Sequence, residues 1–166
     1  MLELKYCFNC GNKLELKFLE NEGMIPYCNN CKEYIFPIFS SAVSMIIINE
    51  NTNETLLIKQ YNTDFYRLVA GYINKGESAE EALKRELMEE VGLEAIKIKP
   101  LLSSYFEKSN TLIHNYLVFV NKKELITNYE VDSYSWFKID DVLNHLVEGK
   151  LVTKFMKNYI DNHYNK

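Results

Sequence analysis

All four cysteines of this 166-residue chain fall within its first 31 positions, as two C-x-x-C pairs, Cys7/Cys10 and Cys28/Cys31, with 17 residues between the pairs. Two short knuckles can each present a pair of thiolates, and four thiolates close a tetrahedron around a structural zinc ion. The spacing lies in the range of such sites. The competing readings are two disulfides or one redox-active C-x-x-C; disulfides need an oxidising compartment, and the spacing favours metal. The chain opens on Met-Leu-Glu-Leu-Lys-Tyr, without an apolar h-region, so no secretory leader is expected. Its longest apolar run, Met45 to Ile48 with Ala42 and Val43 before it, is too short to span a bilayer. Cytoplasmic residence without a membrane partner is the resulting expectation.

The cysteines divide the chain. Residues 1–36 are too few to hold a core of their own, so a metal staple there makes physical sense. Within them Leu14, Leu16 and Phe18 alternate with polar residues, as in a short strand. Residues 37–166 form the main domain. The whole chain is 47% hydrophobic and 13% aromatic, which supports a real core and excludes a disordered chain. Ala42 to Ile48 is a near-continuous apolar run, as in a strand buried on both faces. Leu56 to Ile58 predicts its partner after the turn cluster Asn49 to Asn53, and Ile96 to Phe106, Thr111 to Val120 and Tyr134 to Ile139 predict further strands. Asp140 is the expected cap of a helix through Leu146, and Val152 to Tyr159 the terminal helix. The natural architecture is α+β, a mixed sheet with helices on its faces.

Ser78 to Val91 is the clearest helix, with Ser78 and Glu81 as a capping box and Gly92 as the stop. Ala79, Ala82, Leu83, Leu87 and Val91 form its apolar stripe. Glu86, Glu89 and Glu90 share one face, and Glu86 and Glu90 fall within or beside that stripe. A merely solvated acidic face would point away from the core. Like charges crowded at its edge repel, by a few tenths of a kcal/mol per pair. Cations among them resolve the conflict, and hard oxygen ligands suit Mg²⁺ or Mn²⁺. Gly71 and Gly76 bracket the loop that feeds this helix, where glycine permits close backbone approach and unusual φ/ψ.

The stretch from Gly71 to Leu93 resembles the Nudix box, with every fixed position filled: Gly71, Glu77, Arg85-Glu86-Leu87, Glu89-Glu90, Gly92 and Leu93. The resemblance implies an α/β/α sandwich with a mixed sheet, and hydrolysis of a nucleoside diphosphate linked to another moiety. It implies Mg²⁺ or Mn²⁺ on Glu86, Glu89 and Glu90, with Glu77 assisting through a hydrogen bond or water. Arg85 would orient the carboxylates by a salt bridge, and Glu89 or Glu90 would take the proton of the attacking water. A four-Cys ribbon directly before such a domain is similar to the zinc-ribbon NADH pyrophosphatase subgroup. Leu68 to Ile73 and Glu130 to Phe137 resemble two further segments of it. On that match Glu130 is an additional metal ligand; its ordinary reading is a solvated loop carboxylate.

The substrate so implied is NAD(H), giving AMP and nicotinamide mononucleotide. The subgroup's Pro- and Trp-rich substrate segment is absent, and Ser103 to Ile113 stands in its place. ADP-ribose, nucleotide sugars and NTPs therefore stay open. Tyr105 and Phe106 can stack on a base, although aromatic residues at strand spacing are more often core; Trp136 beside Phe137 is expected in the core, and His114 in a strand is expected to be structural. With 19 basic and 23 acidic side chains the net charge is −4, which argues against broad nucleic-acid binding and leaves only nucleotide-capped RNA ends as a partner of that kind. The alternative from another class is a zinc-ribbon regulator that senses a nucleotide without turnover. The ribbon's Zn²⁺ is expected to be structural, with a homodimer contact left open.

Overall fold

The structure, a computed structural model, describes residues 4–121 and 124–164. Residues 1–3, on which part of the leader reading rests, lie outside the described residues. The chain divides into two compact units. One holds the chain up to Phe39 together with the turn Glu107–Asn110; the other holds Ser40–Phe106 and the chain from Thr111 onward.

In the first unit β1 (Glu15–Leu19), β2 (Gly23–Cys28) and β3 (Glu33–Tyr34) form an antiparallel sheet in that order. Its buried centre is Cys7, Cys28 and Ile35, with Leu4, Leu14 and Cys31 packed around them. The predicted strand is present, but its alternation does not bury what it sorts. Leu16 and Phe18 are 60% and 69% exposed. So small a centre has room for one layer of apolar residues, and the outer face of the hairpin is left over.

The second unit is built on a six-stranded mixed sheet. Its strands are β4 (Ser40–Asn49), β5 (Glu54–Gln60), β6 (Val69–Tyr72), β7 (Lys97–Phe106), β8 (Thr111–Val120) and β9 (Val131–Lys138). The order is β7-β8-β4-β5-β9, with β6 paired to β4. β4 and β8 run parallel, from Ser40 opposite Thr111 to Asn49 opposite Val120, and the other pairings are antiparallel. Helix α1 (Ala79–Val91) covers one face and α2 (Leu151–Tyr159) belongs to the other. Successive β4 residues serve both sides: Val43, Met45 and Ile47 join Ala82, Leu83, Leu87 and Val91, while Ile46 and Ile48 join Val152, Phe155, Met156 and Tyr159. That is why β4 is apolar from Ala42 to Ile48 except at the buried Ser44, with no polar alternation. The architecture is the expected α/β/α sandwich with a mixed sheet.

α1 forms where its sequence says it should. The Ser78 hydroxyl accepts from the Glu81 backbone N–H, and the Glu81 carboxylate accepts from the Ser78 N–H. Gly92 closes the helix in the left-handed conformation, φ 64°. The segment after β9 corrects an expectation. Val142–His145 is a single 3₁₀ turn rather than a helix, and Asp141, not Asp140, stands before it. The Asp141 carboxylate binds the side chains of Asn144 and His145 instead of capping a backbone N–H. Adjacent aspartates are equal candidates in sequence, and only the chain path separates them. Among the described residues no helix is long and apolar enough to cross a membrane.

Candidate functional site

The acidic side chains of α1 are graded by burial. Glu90 lies among the buried residues at 3% exposure, the Glu86 side chain is 14% exposed and that of Glu89 is 56% exposed. The stripe thus carries Glu90 into the core and leaves Glu89 facing water. Burial, more than any neighbour, raises Glu90 to about 8, and the charges of Glu86, Glu130 and Glu89 add to it. The Gln60 amide works the other way, yet Gln60 Nε2 and Glu90 Oε2 both remain buried without a hydrogen-bond partner. Such an orphaned oxygen is costly unless something binds it. Glu86 is also raised, first by burial, with Arg85 opposing.

Glu86 owes its position to Gly71. β6 pairs with β4 so that Gly71 lies opposite Val43, and a Cβ built on Gly71 would overlap the Glu86 carboxyl group. Gly71 is needed there for close approach, not for an unusual φ. Arg85 organises the rest. Its Nε donates to Glu77 Oε1 at 2.8 Å and its Nη2 to Glu77 Oε2 at 3.0 Å. Nη1 reaches Glu86 Oε1 at 2.6 Å and Glu89 Oε2 at 3.2 Å, and Nη2 also reaches the Tyr72 carbonyl at 3.0 Å. Glu77 also accepts the Asn74 backbone N–H at 2.9 Å. Arg85 first, and that N–H second, hold Glu77 down at about 2, and Glu77 in turn raises Arg85. Gly76, at φ 88°, turns the loop that carries Glu77.

Glu130, half-buried just before β9, is near enough for its charge to raise both Glu86 and Glu90. Its Oε2 accepts the Tyr61 hydroxyl at 3.2 Å. Tyr61 and Gln60 were not singled out in the sequence. Gln60 follows Lys59 beyond the apolar run of β5 and Tyr61 comes directly after it, so no pattern marked either. His114 bridges Ser41 and Ser103 at 3.1 and 3.0 Å, a structural bond across three strands. Trp136 and Phe137 pack against the two core faces as expected, and so does Phe106. Tyr105, expected in the core, is 50% exposed, because β7 is the sheet's edge strand and one side of its outer end is uncovered.

The four cysteines are free thiols, and their Sγ atoms all lie within 4.8 Å of one another. Cys7 and Cys31 are 3.9 Å apart, and Cys10 and Cys28 3.5 Å. These separations are near the ~3.8 Å edge of a tetrahedron with Zn–S bonds of about 2.3 Å. They far exceed a disulfide bond of about 2.05 Å. Cys10 is pulled down to about 6, first by the Asn12 backbone N–H, while Cys31 is pushed up to about 12, first by Cys10. The set is compatible with a zinc site. Among the described residues it is the one group of three or more such side chains whose ligand atoms gather this closely. The acidic set is looser, but its donors are hard oxygens, one of them buried and unpartnered, and so they fit Mg²⁺ or Mn²⁺.

A NUDIX domain model matches residues 39–158. The NAD-capped RNA hydrolase NudC of Pseudomonas aeruginosa is 26% identical over 139 residues, covering 82% of this chain and 48% of its own length. The NAD-capped RNA hydrolase NudC of Pseudomonas entomophila is 27% identical over 157 residues, covering 93% of this chain and 55% of its own length. The chain thus spans about half the length of the curated relatives it matches. A crystal structure of a NUDIX hydrolase from Nitrosomonas europaea superposes with a TM-score of 0.64 at 17% identity, over 98% of this chain and 93% of that one. The NUDIX domain of Shewanella oneidensis NrtR, solved with ADP ribose, gives 0.62 at 18% identity, over 81% of this chain and 92% of that one. At these identities the solved structures speak for the fold alone.

Proposed function

This chain belongs to the NUDIX family, and on that premise we propose that it hydrolyses the pyrophosphate bond of a nucleoside diphosphate linked to another moiety. The observation that carries the reading is the buried, unpartnered Oε2 of Glu90 beside a Glu86 seated on Gly71. Glu86, Glu89, Glu90 and Glu130 would hold Mg²⁺ or Mn²⁺. Such a cation neutralises pyrophosphate charge and acidifies a bound water. The protein's own part is positioning. Arg85 spreads Glu77, Glu86 and Glu89 around one guanidinium, so that repulsion does not scatter them. Water attacks one phosphorus, the bridging P–O bond breaks, and the water's proton passes to a carboxylate. Glu89, the exposed carboxylate among Glu86, Glu89 and Glu90, or Glu90 takes that proton. Cys7, Cys10, Cys28 and Cys31 would hold a structural Zn²⁺. Within this proposal residues 1–36 are the ribbon and residues 37–166 the hydrolytic domain.

NAD(H), free or as the cap of an RNA, is the substrate we favour, on the likeness to the two hydrolases named above. The test is a panel of NADH, NAD⁺, NAD-capped RNA, ADP-ribose, a dinucleoside polyphosphate, a nucleotide sugar and NTPs. Each is run with Mg²⁺ and with Mn²⁺, products are separated by chromatography, and Glu90→Gln serves as the inactive control. Fastest release of AMP from NADH or NAD⁺, or of nicotinamide mononucleotide from capped RNA, is the expected result. A faster ADP-ribose, sugar or NTP reaction would overturn the substrate. Binding without turnover would overturn the reaction in favour of a nucleotide sensor.

A further inference from the structure

We propose that Tyr61 is a positioning residue for Glu130: its phenol fixes that carboxylate beside Glu86 and Glu90, and so sets how tightly the acidic cluster binds a divalent cation. This rests on the reading of Glu130 as a metal ligand given above. β5 leaves its ladder with β9 through an irregularity, Lys59 pairing with Ser133 but Gln60 with Val131. Bulges of this kind re-aim side chains. The next two residues, Tyr61 and Asn62, both adopt the left-handed conformation, with φ of 58° and 53°. Asparagine tolerates that region, but a bulky aromatic residue there is a genuine outlier.

The strained conformation is firmly held. The Asn62 N–H donates to Asp132 Oδ2 at 2.7 Å, and the Thr63 hydroxyl and backbone N–H donate to the Gln60 carbonyl at 2.7 and 3.2 Å. Yet Tyr61 remains 60% exposed, so burial is not what the strain secures. What it secures is the hydroxyl, which donates to Glu130 Oε2 at 3.2 Å. Glu130 is braced from its own side as well, its backbone N–H donating to Asn128 Oδ1 at 3.0 Å. A phenol takes one lone pair of the carboxylate and leaves the others for a cation. Partners of this kind orient ligands, and their loss costs metal affinity.

The experiment is a Mn²⁺ titration of zinc-loaded protein without substrate, followed by the electron paramagnetic resonance signal of the free ion. It compares the wild type with Tyr61→Phe, Tyr61→Gly and Glu130→Gln. Tyr61→Phe is expected to weaken Mn²⁺ binding about tenfold with an unchanged metal-free melting temperature. Tyr61→Gly should weaken it as much while that temperature holds or rises, since glycine relieves the left-handed φ. A merely structural tyrosine would move stability and affinity together. Wild-type affinity in Tyr61→Phe alongside weakened binding in Glu130→Gln overturns the proposal. Wild-type affinity in Glu130→Gln overturns the reading of Glu130 as a ligand, and the role of Tyr61 with it.

Discussion

The four cysteines and the four glutamates are both ligand sets, yet the chain prepares them in opposite ways. The thiols stand at tetrahedral spacing. The carboxylates are gathered by a partner, three of the box's acidic groups being drawn onto the single guanidinium of Arg85. Charge explains the difference. Cys10 is lowered and so carries charge at neutral pH, while Cys31 is raised and keeps its proton until a metal displaces it. Carboxylates are ionised at neutral pH and repel. They are kept near one another by a counter-ion, by a glycine seat or, at Glu90, by burial that holds the proton on. The thiol set is thus gathered by its own knuckles, whereas the acidic set leans on a guanidinium, a glycine seat and burial.

The comparison can be broken most forcefully at Gly71. Gly71→Ala puts a methyl group where the Glu86 carboxyl sits, and β6 is pinned to β4 and cannot retreat. Metal-dependent turnover is expected to fall about a hundredfold, in line with a misplaced reacting group, while circular dichroism keeps the wild-type spectrum. Turnover within a factor of two of wild type would show that the seat does not matter. Next comes the cysteine side. A chelator that strips zinc and spares Mg²⁺ should remove hydrogen-exchange protection from β1–β3, because among the described residues of that unit only Cys7, Cys28 and Ile35 are buried. Protection in β4 and β8 should survive. If the β1–β3 amides stay protected, the thiol cluster is not a metal staple.

The smallest effect is the most specific to charge. Glu90 is raised to about 8, against about 4.3 for an exposed glutamate. Between those values the folded chain holds a proton that the unfolded chain has released. The unfolded state then binds fewer protons, so metal-free stability is full below about pH 4.3 and is lost as pH rises through 8. Glu90→Gln should flatten that decline and raise the metal-free melting temperature at pH 8 by a few degrees, on the order of 5 °C. Added Mg²⁺, which favours the ionised form, should narrow the gap. Parallel wild-type and Glu90→Gln curves in thermal scans across this range would refute the buried proton.

What was legible in the sequence was local. The helix, its Ser78 and Gly92 ends, and the placing of Glu90 in the apolar stripe follow from a period of 3.6 residues and short-range hydrogen bonds. β4 was legible because a strand covered on both faces needs no polar alternation. The contact of Tyr61 with Glu130 was not, since it depends on a bulge and two left-handed residues that no pattern announces. Nor was the exposure of Leu16 and Phe18. Periodicity tells which residues share a face, but not whether there is a core to receive it.

The parallel pairing of β4 with β8 has a consequence in time. The two strands are about 70 residues apart in sequence yet adjacent in the sheet. At a ribosomal rate of roughly 5–20 residues per second, β4 waits several seconds for its neighbour. During that wait Gly71, Arg85, Glu86 and Glu90 have already been made, while β4 presents an open apolar edge of the kind that invites mispairing. A nascent chain halted before Thr111 would own Glu77, Glu86, Glu89 and Glu90 and still lack β8 and β9, which flank β4 and β5 in the sheet.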